Sequence, residues 1–202
     1  MNERYYDNLL NIRTRGTQEG FLQYAHYNRY EPTPYLALET LFSTYELNPT
    51  DQIVDFGCGK GRLNFYINYR FSTSVVGIEM NKALYQQALE NQAHYLKKAK
   101  HRGDKIHFHC CLAENYPIDS LDNRFYFFNP FSVEIFIKII NNILDSVERS
   151  ERDIELILYY PSIDYISYLE CQNSFEPKME IKLPVLYEKN PNERFIVYRL
   201  VR

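Results

Sequence analysis

Tryptophan is absent from this 202-residue chain, and glycine (7) and cysteine (4) are scarce. The cysteines Cys58, Cys110, Cys111 and Cys171 form no CxxC pair and no zinc-ribbon spacing, so neither a disulfide scaffold nor a structural zinc site is expected. Cys110 and Cys111 are neighbours in an extended segment; their side chains point to opposite faces and are not expected to bridge. No run approaches the roughly 18 apolar residues needed to cross a bilayer. The first residues, MNERYYDNLLNIRTR, lack the apolar stretch of a secretory signal. A basic excess is also missing: 23 Lys and Arg face 26 Asp and Glu, a net charge of −3. That disfavours non-specific coating of nucleic acid, although a local basic groove stays open. A reduced, cytoplasmic protein without a membrane partner is expected, and its oligomeric state is not encoded in any visible pattern.

What is present describes a globular chain, 45% hydrophobic and 24% charged, with 19 Tyr and 13 Phe. Residues 1–31 are polar, Tyr-rich and weakly periodic, and read as an N-terminal arm or lid before a single domain over 32–202. Thr33-Pro34 predicts a helix start, with Thr33 as cap and Pro34 in the first turn. Leu38, Leu41, Phe42 and Tyr45 supply its apolar stripe. Strands are expected at 52–56, 74–79 (buried), 106–112 (alternating), 124–128 (central) and 154–160, with two closing strands at 179–183 and 195–201. Between them lie helices over 62–69, 82–102, from Ser132 to Val147, and near 164–169. Gly103 is expected to end the 82–102 helix, and its basic end, Lys97, Lys98, Lys100 and Arg102, suits the negative pole of the helix dipole. Alternating strands and helices predict an α/β protein with its sheet covered on both faces.

Three of the seven glycines fall within five residues, in Asp55-Phe56-Gly57-Cys58-Gly59-Lys60-Gly61. This segment leaves a strand and enters a helix, where glycine lets the backbone turn tightly and approach a ligand, and where free N–H groups are expected. A dinucleotide turn, GxGxxG, needs glycine at position 62 for close helix packing, and here Arg62 stands there. The acid Asp55, two residues before the first glycine, suits an ammonium or sulfonium rather than a pyrophosphate. Glu79 ends the next strand, where it can reach a ribose diol.

On these residues the chain resembles the class I S-adenosylmethionine-dependent methyltransferases, roughly from Tyr30 to the end. The resemblance implies a three-layer Rossmann-like fold with a mostly parallel seven-stranded sheet and an antiparallel last strand. It implies S-adenosyl-L-methionine as cofactor, with Asp55, Phe56, Gly57, Cys58, Gly59 and Gly61 around its methionine part. Glu79 would take the ribose, Met80 the adenine, and Ala113 and Glu114 the adenine amino end. Phe128-Asn129-Pro130-Phe131 looks like a shortened Asn-Pro-Pro-Tyr motif of amino-group methyltransferases. Asn129, Pro130 and Phe131 are therefore the candidate catalytic residues, with Asn129 also beside the cofactor. The second Pro is missing and Ser132 holds the aromatic position. Tyr30-Glu31-Pro32-Thr33 is similar to a segment of bacterial stand-alone methyltransferases. The expected activity is methyl transfer to a nucleophile, by the likeness a nitrogen, on a small molecule, protein or nucleic acid. The alternative is a non-catalytic S-adenosylmethionine-binding module acting through a protein partner.

Plainer readings stand beside these. The turn can be an ordinary strand-to-helix connection, Asn129-Pro130 a strand stop, and the tyrosines Tyr5, Tyr6, Tyr24, Tyr27 and Tyr30 packing groups. His107, His109 and Cys111 share one face of a strand but lack a fourth ligand, so no metal is expected.

Overall fold

The computed structural model describes residues 3–16, 26–99 and 103–201. Among them, short apolar runs form seven strands: β1 (Gln52–Phe56), β2 (Ser74–Glu79), β3 (Ile106–Cys110), β4 (Arg124–Phe127), β5 (Glu155–Tyr159), β6 (Phe175–Lys182) and β7 (Arg194–Leu200). The helices are α1 (Glu3–Leu10), α2 (Tyr35–Phe42), α3 (Arg62–Phe71), α4 (Lys82–Lys98), α5 (Val133–Arg149), α6 (Ile163–Cys171) and α7 (Leu186–Lys189). One sheet runs in the order β3-β2-β1-β4-β5-β7-β6. β1 to β5 are parallel, and β7 enters antiparallel between β5 and β6. β1, β4 and β5 lie inside the sheet and are buried nearly end to end, which is why they read as continuous apolar runs.

Alternate residues of each strand build two cores. Ile53, Val75, Tyr126 and Ile157 face α2 and α3. Val54, Phe56, Phe125 and Leu158 face α5 and α6. The edges are protected differently. β3 exposes His107, His109 and Cys110. β6 alternates Glu176, Lys178, Glu180 and Lys182 and breaks register at Pro177, which hinders pairing with another chain.

Several local expectations change. Thr33 does not cap α2: its hydroxyl bonds the Tyr126 hydroxyl at 2.7 Å, and Pro34 itself takes the cap position. A buried partner across the sheet outcompetes the local N–H groups. Ser132 does precede α5, but its hydroxyl meets His26 Nδ1 at 3.1 Å and makes no cap bond. α4 closes at Lys98, short of the predicted end, and Gly103 opens a separate 3₁₀ turn over Gly103–Lys105. Lys100, Arg102 and Tyr24 lie outside the described residues.

The N-terminal segment differs most from a bare lid. Leu10 and Ile12 are buried in the core beside α2 and α3. Buried Asp7 accepts from the Thr14 hydroxyl (2.8 Å), the Thr14 amide (3.1 Å) and the Tyr35 hydroxyl (2.9 Å). Tyr6 stacks on Tyr35 with centroids 4.6 Å apart. These partners are distant in sequence, so no local periodicity announces them.

Candidate functional site

Strand order reverses between β1 and β4. Their following segments leave toward opposite faces, into α3 and α5, and open a crevice at the carboxyl ends of the strands. The register sets Asp55 beside Gly77 on one side and Tyr126 on the other. A cleft of about 720 Å³ lies there, walled by Gly57, Glu79, Met80, Ala113, Pro130 and Phe131 among others. A second, smaller pocket is lined by Asp55, Cys58, Arg62 and Tyr126. The two cavities share Tyr30, Glu31, Gly57 and Phe128 in their walls.

The glycine turn is left-handed at Gly57 (φ 81°), Gly59 (φ 55°) and Gly61 (φ 82°). A Cβ at Gly57 would sit 2.7 Å from Pro130 Cβ, and one at Gly59 would run into the Tyr30 ring. Glycine is thus required by close packing as well as by backbone angle. The turn's N–H groups are spent inside the protein. Gly57 and Cys58 donate to Ile78 O, Gly61 to Cys58 O, and Gly59 to Glu79 Oε2 at 2.9 Å. The expectation of free N–H groups is met at none of these four positions, so the turn is no phosphate cradle.

Carboxylates dominate instead. Asp55 is 4% exposed, and its carboxylate makes no hydrogen bond among the described residues. Burial, then the neighbouring Glu79 charge, pushes its pKa well above the usual carboxylate range. Glu79 is raised by burial, opposed by N–H donors from Asn81, Gly59 and Met80. Its Oε1 accepts from Asn81 N at 2.7 Å. Each Glu79 oxygen accepts one of these bonds and retains lone-pair capacity for a further donor. Burial also raises the Cys58 thiol, with Asp55 and Glu79 adding to it. Around Asp55 and Glu79 such a site attracts a cation and hydroxyl donors.

Not every expected residue faces the cleft. Phe56 points into the opposite core and stacks on Phe127 at 5.2 Å. Gly61 lies under Phe108 and Phe65. Glu114 turns away to accept from the Tyr27 hydroxyl at 2.9 Å. Asn129 stands at the rim with φ 39°, and its side chain lines neither cavity. Pro130 and Phe131 do line the main cleft, and buried Tyr165 fixes the latter by donating to Phe131 O at 2.6 Å. Tyr165 in turn stacks on Phe136 at 3.9 Å.

Within the expected N-terminal arm, the contacts of the strap formed by residues 26–31 were not readable from the sequence. Tyr27 bridges Phe131 in antiparallel fashion. Asn28 donates its backbone N–H to Pro130 O (2.9 Å) and its Nδ2 to Asn129 O (2.7 Å). Ser132 N donates to His26 O at 2.8 Å. Tyr27, Asn28, Arg29, Tyr30 and Glu31 thereby form one wall of the cleft. The abundance of Tyr before the first helix and the Tyr30-Glu31-Pro32-Thr33 segment were the strap's signals.

Among the described residues no group of three or more His, Cys, Asp or Glu is placed to hold a metal. No helix there is long and apolar enough to cross a membrane, and all four cysteines are free.

Residues 35–115 match the model of a family described as a methyltransferase domain. No curated protein shows significant similarity to the chain. Solved structures share the fold at low identity. The human methyltransferase 10 domain containing protein is 11% identical with a TM-score of 0.63, over 98% of this chain and 92% of that one. An RNA methyltransferase from Salinibacter ruber, solved with S-adenosyl-L-homocysteine, is 18% identical with a TM-score of 0.54, over 84% and 92% of the two chains. Geranyl diphosphate C-methyltransferase from Streptomyces coelicolor, also solved with S-adenosyl-L-homocysteine, is 12% identical with a TM-score of 0.54, over 83% and 78%.

Proposed function

We propose that this chain, a class I S-adenosylmethionine-dependent methyltransferase, delivers the methyl group to a nitrogen nucleophile presented at Asn129, Pro130 and Phe131. One observation carries the reading. A buried carboxylate without a hydrogen bond, Asp55, and an acid at the tip of the neighbouring strand, Glu79, flank a left-handed glycine turn at the mouth of the sheet.

The residues fit the cofactor. Asp55 and the smaller pocket suit an ammonium-bearing end, because an unpaired buried carboxylate gains most from a cation. Gly57 brings bare backbone to the junction of the two cavities. Glu79 receives the ribose hydroxyls on its remaining lone pairs. Met80, Ile78, Leu84 and Ala113 offer an apolar slot for the adenine. The engaged turn N–H groups and the paired acids argue against a dinucleotide.

Bound S-adenosylmethionine supplies a methyl group already activated by its sulfonium, so the protein's task is alignment in a water-poor cleft. Phe131 and Phe128 make that region apolar. Asn129, whose side chain makes no hydrogen bond among the described residues, holds the acceptor's N–H with its Oδ1, leaving the nitrogen lone pair to face the donor. A neutral amine needs no dedicated base. The acceptor is a small molecule, a protein or a nucleic acid, with the acidic balance favouring the first two. Four free cysteines suit a cytoplasmic setting.

Calorimetric titration with S-adenosylhomocysteine tests the donor site, and radioactive methyl transfer into fractions of a cell extract tests the chemistry. Asn129→Ala is expected to keep S-adenosylhomocysteine binding within about threefold and to lose transfer. Equal turnover in the variant and the wild type would remove Asn129 from the mechanism.

A further inference from the structure

We propose that Arg62 binds the carboxylate of the cofactor's amino-acid end, and that the N-terminal segment holds its guanidinium in place for that purpose. The inference rests on the donor reading above and assigns one of its contacts to a residue outside the expected set.

Arg62 follows the glycine turn directly and is 4% exposed. A buried guanidinium must have its five N–H groups met, and a residue kept buried at such cost has its position over-determined. Three of the five are accounted for. Nε donates to Thr14 Oγ1 at 2.8 Å, and Nη1 donates to Thr33 O at 3.2 Å and to Glu3 Oε2. The plane lies over the Tyr35 ring, 4.5 Å from its centroid. Nη2, with two N–H groups, makes no hydrogen bond among the described residues. All the anchors come from residues 3–35, so the segment before the domain fixes the arginine.

The same residue lines the smaller pocket together with Asp55. One wall thus offers an unpaired carboxylate and another a guanidinium with an open edge. That pairing complements a zwitterion, the ammonium and carboxylate of an α-amino acid. A nucleoside lacking that end would use the large cleft and leave Asp55 and the Nη2 edge of Arg62 without a ligand partner. Arginine at this position also explains why the third glycine of a dinucleotide turn is absent: the helix start carries a ligand group instead of a close helix contact.

The test compares three ligands on the full chain by calorimetry: S-adenosylmethionine, its decarboxylated form, which keeps the sulfonium and the amine, and methylthioadenosine. Wild type is expected to prefer the intact compound over the decarboxylated one by about 10- to 100-fold, the scale of a charge-assisted hydrogen bond. Arg62→Gln is expected to erase that preference while holding affinity for the decarboxylated form and for methylthioadenosine within about threefold. Thr14→Val, which frees Nε, should reduce the preference partway. Equal binding of the first two ligands by wild type overturns the proposal without any variant. So does an Arg62→Gln protein that loses all three ligands in proportion, the signature of a purely structural arginine. Wild type that binds none of them, nor S-adenosylhomocysteine, would instead remove the donor assignment itself.

Discussion

Asp55 concentrates the site's electrostatics in one side chain. Burial lifts its folded pKa above its unfolded value, so the folded state holds the proton more tightly. The stability tied to this group is therefore complete below the ordinary carboxylate range and is lost as pH rises through the folded value. Without ligand, Asp55→Asn should melt like wild type below about pH 4 and above it at higher pH. The gain is about 2–4 °C for each kcal/mol of burial penalty removed. The same substitution should weaken S-adenosylmethionine binding, because the proposed counter-charge to its ammonium is removed. Thermal melts across pH, with and without ligand, check both signs; a variant less stable than wild type at every pH would contradict them. At this scale the sequence was informative. The places of Asp55, Gly57 and Glu79 at the strand ends were readable from residue type and position. That Phe56 and Glu114 line neither cavity was not readable. Strand alternation sends Phe56 to the opposite core, and Glu114 has a hydroxyl partner, Tyr27, from a segment 87 residues earlier.

The N-terminal elements join the site through two separate attachments. α1 and the loop after it converge on Asp7 and Arg62, behind the glycine turn. The strap at 26–28 lies across Asn129–Ser132 in front of it. Asn28 takes both carbonyls of Asn129 and Pro130, so an acceptor approaching that backbone competes with an internal donor. Asn28→Ala removes the Nδ2 bond, worth about 1 kcal/mol. It should speed exchange of the Ser132 amide, which bonds His26 O, by about fivefold or more. Hydrogen exchange read by NMR checks this, with the β4 amides as an internal control. Unchanged Ser132 protection would mean that the strap is held independently of Asn28. Element positions in the sheet were largely legible, since β1 and β2 follow from apolar runs between turn signals. The strap was not, because a single antiparallel bridge has no periodicity to detect.

For the whole molecule, two cores on either side of one sheet make the donor site a property of the complete fold. A donor bound as proposed, by groups from β1, β2, the glycine turn and the N-terminal segment, binds only the folded chain. S-adenosylhomocysteine at 100 times its Kd should therefore add about 2.7 kcal/mol and raise the Tm by about 5–11 °C. Scanning calorimetry over a ligand series checks it; a concentration-independent Tm would exclude specific binding. Local backbone freedom and residue charge are written along the chain, so the strand positions, the acid–glycine–acid signature and the departure from a dinucleotide turn were legible there. Only the tertiary structure decided that Arg62 is buried and held by three anchors, that the turn N–H groups are consumed, and that the strap covers Asn129. Most of those contacts join groups far apart in the chain, and hydrogen-bond capacity is spent on whichever partner folding brings within reach.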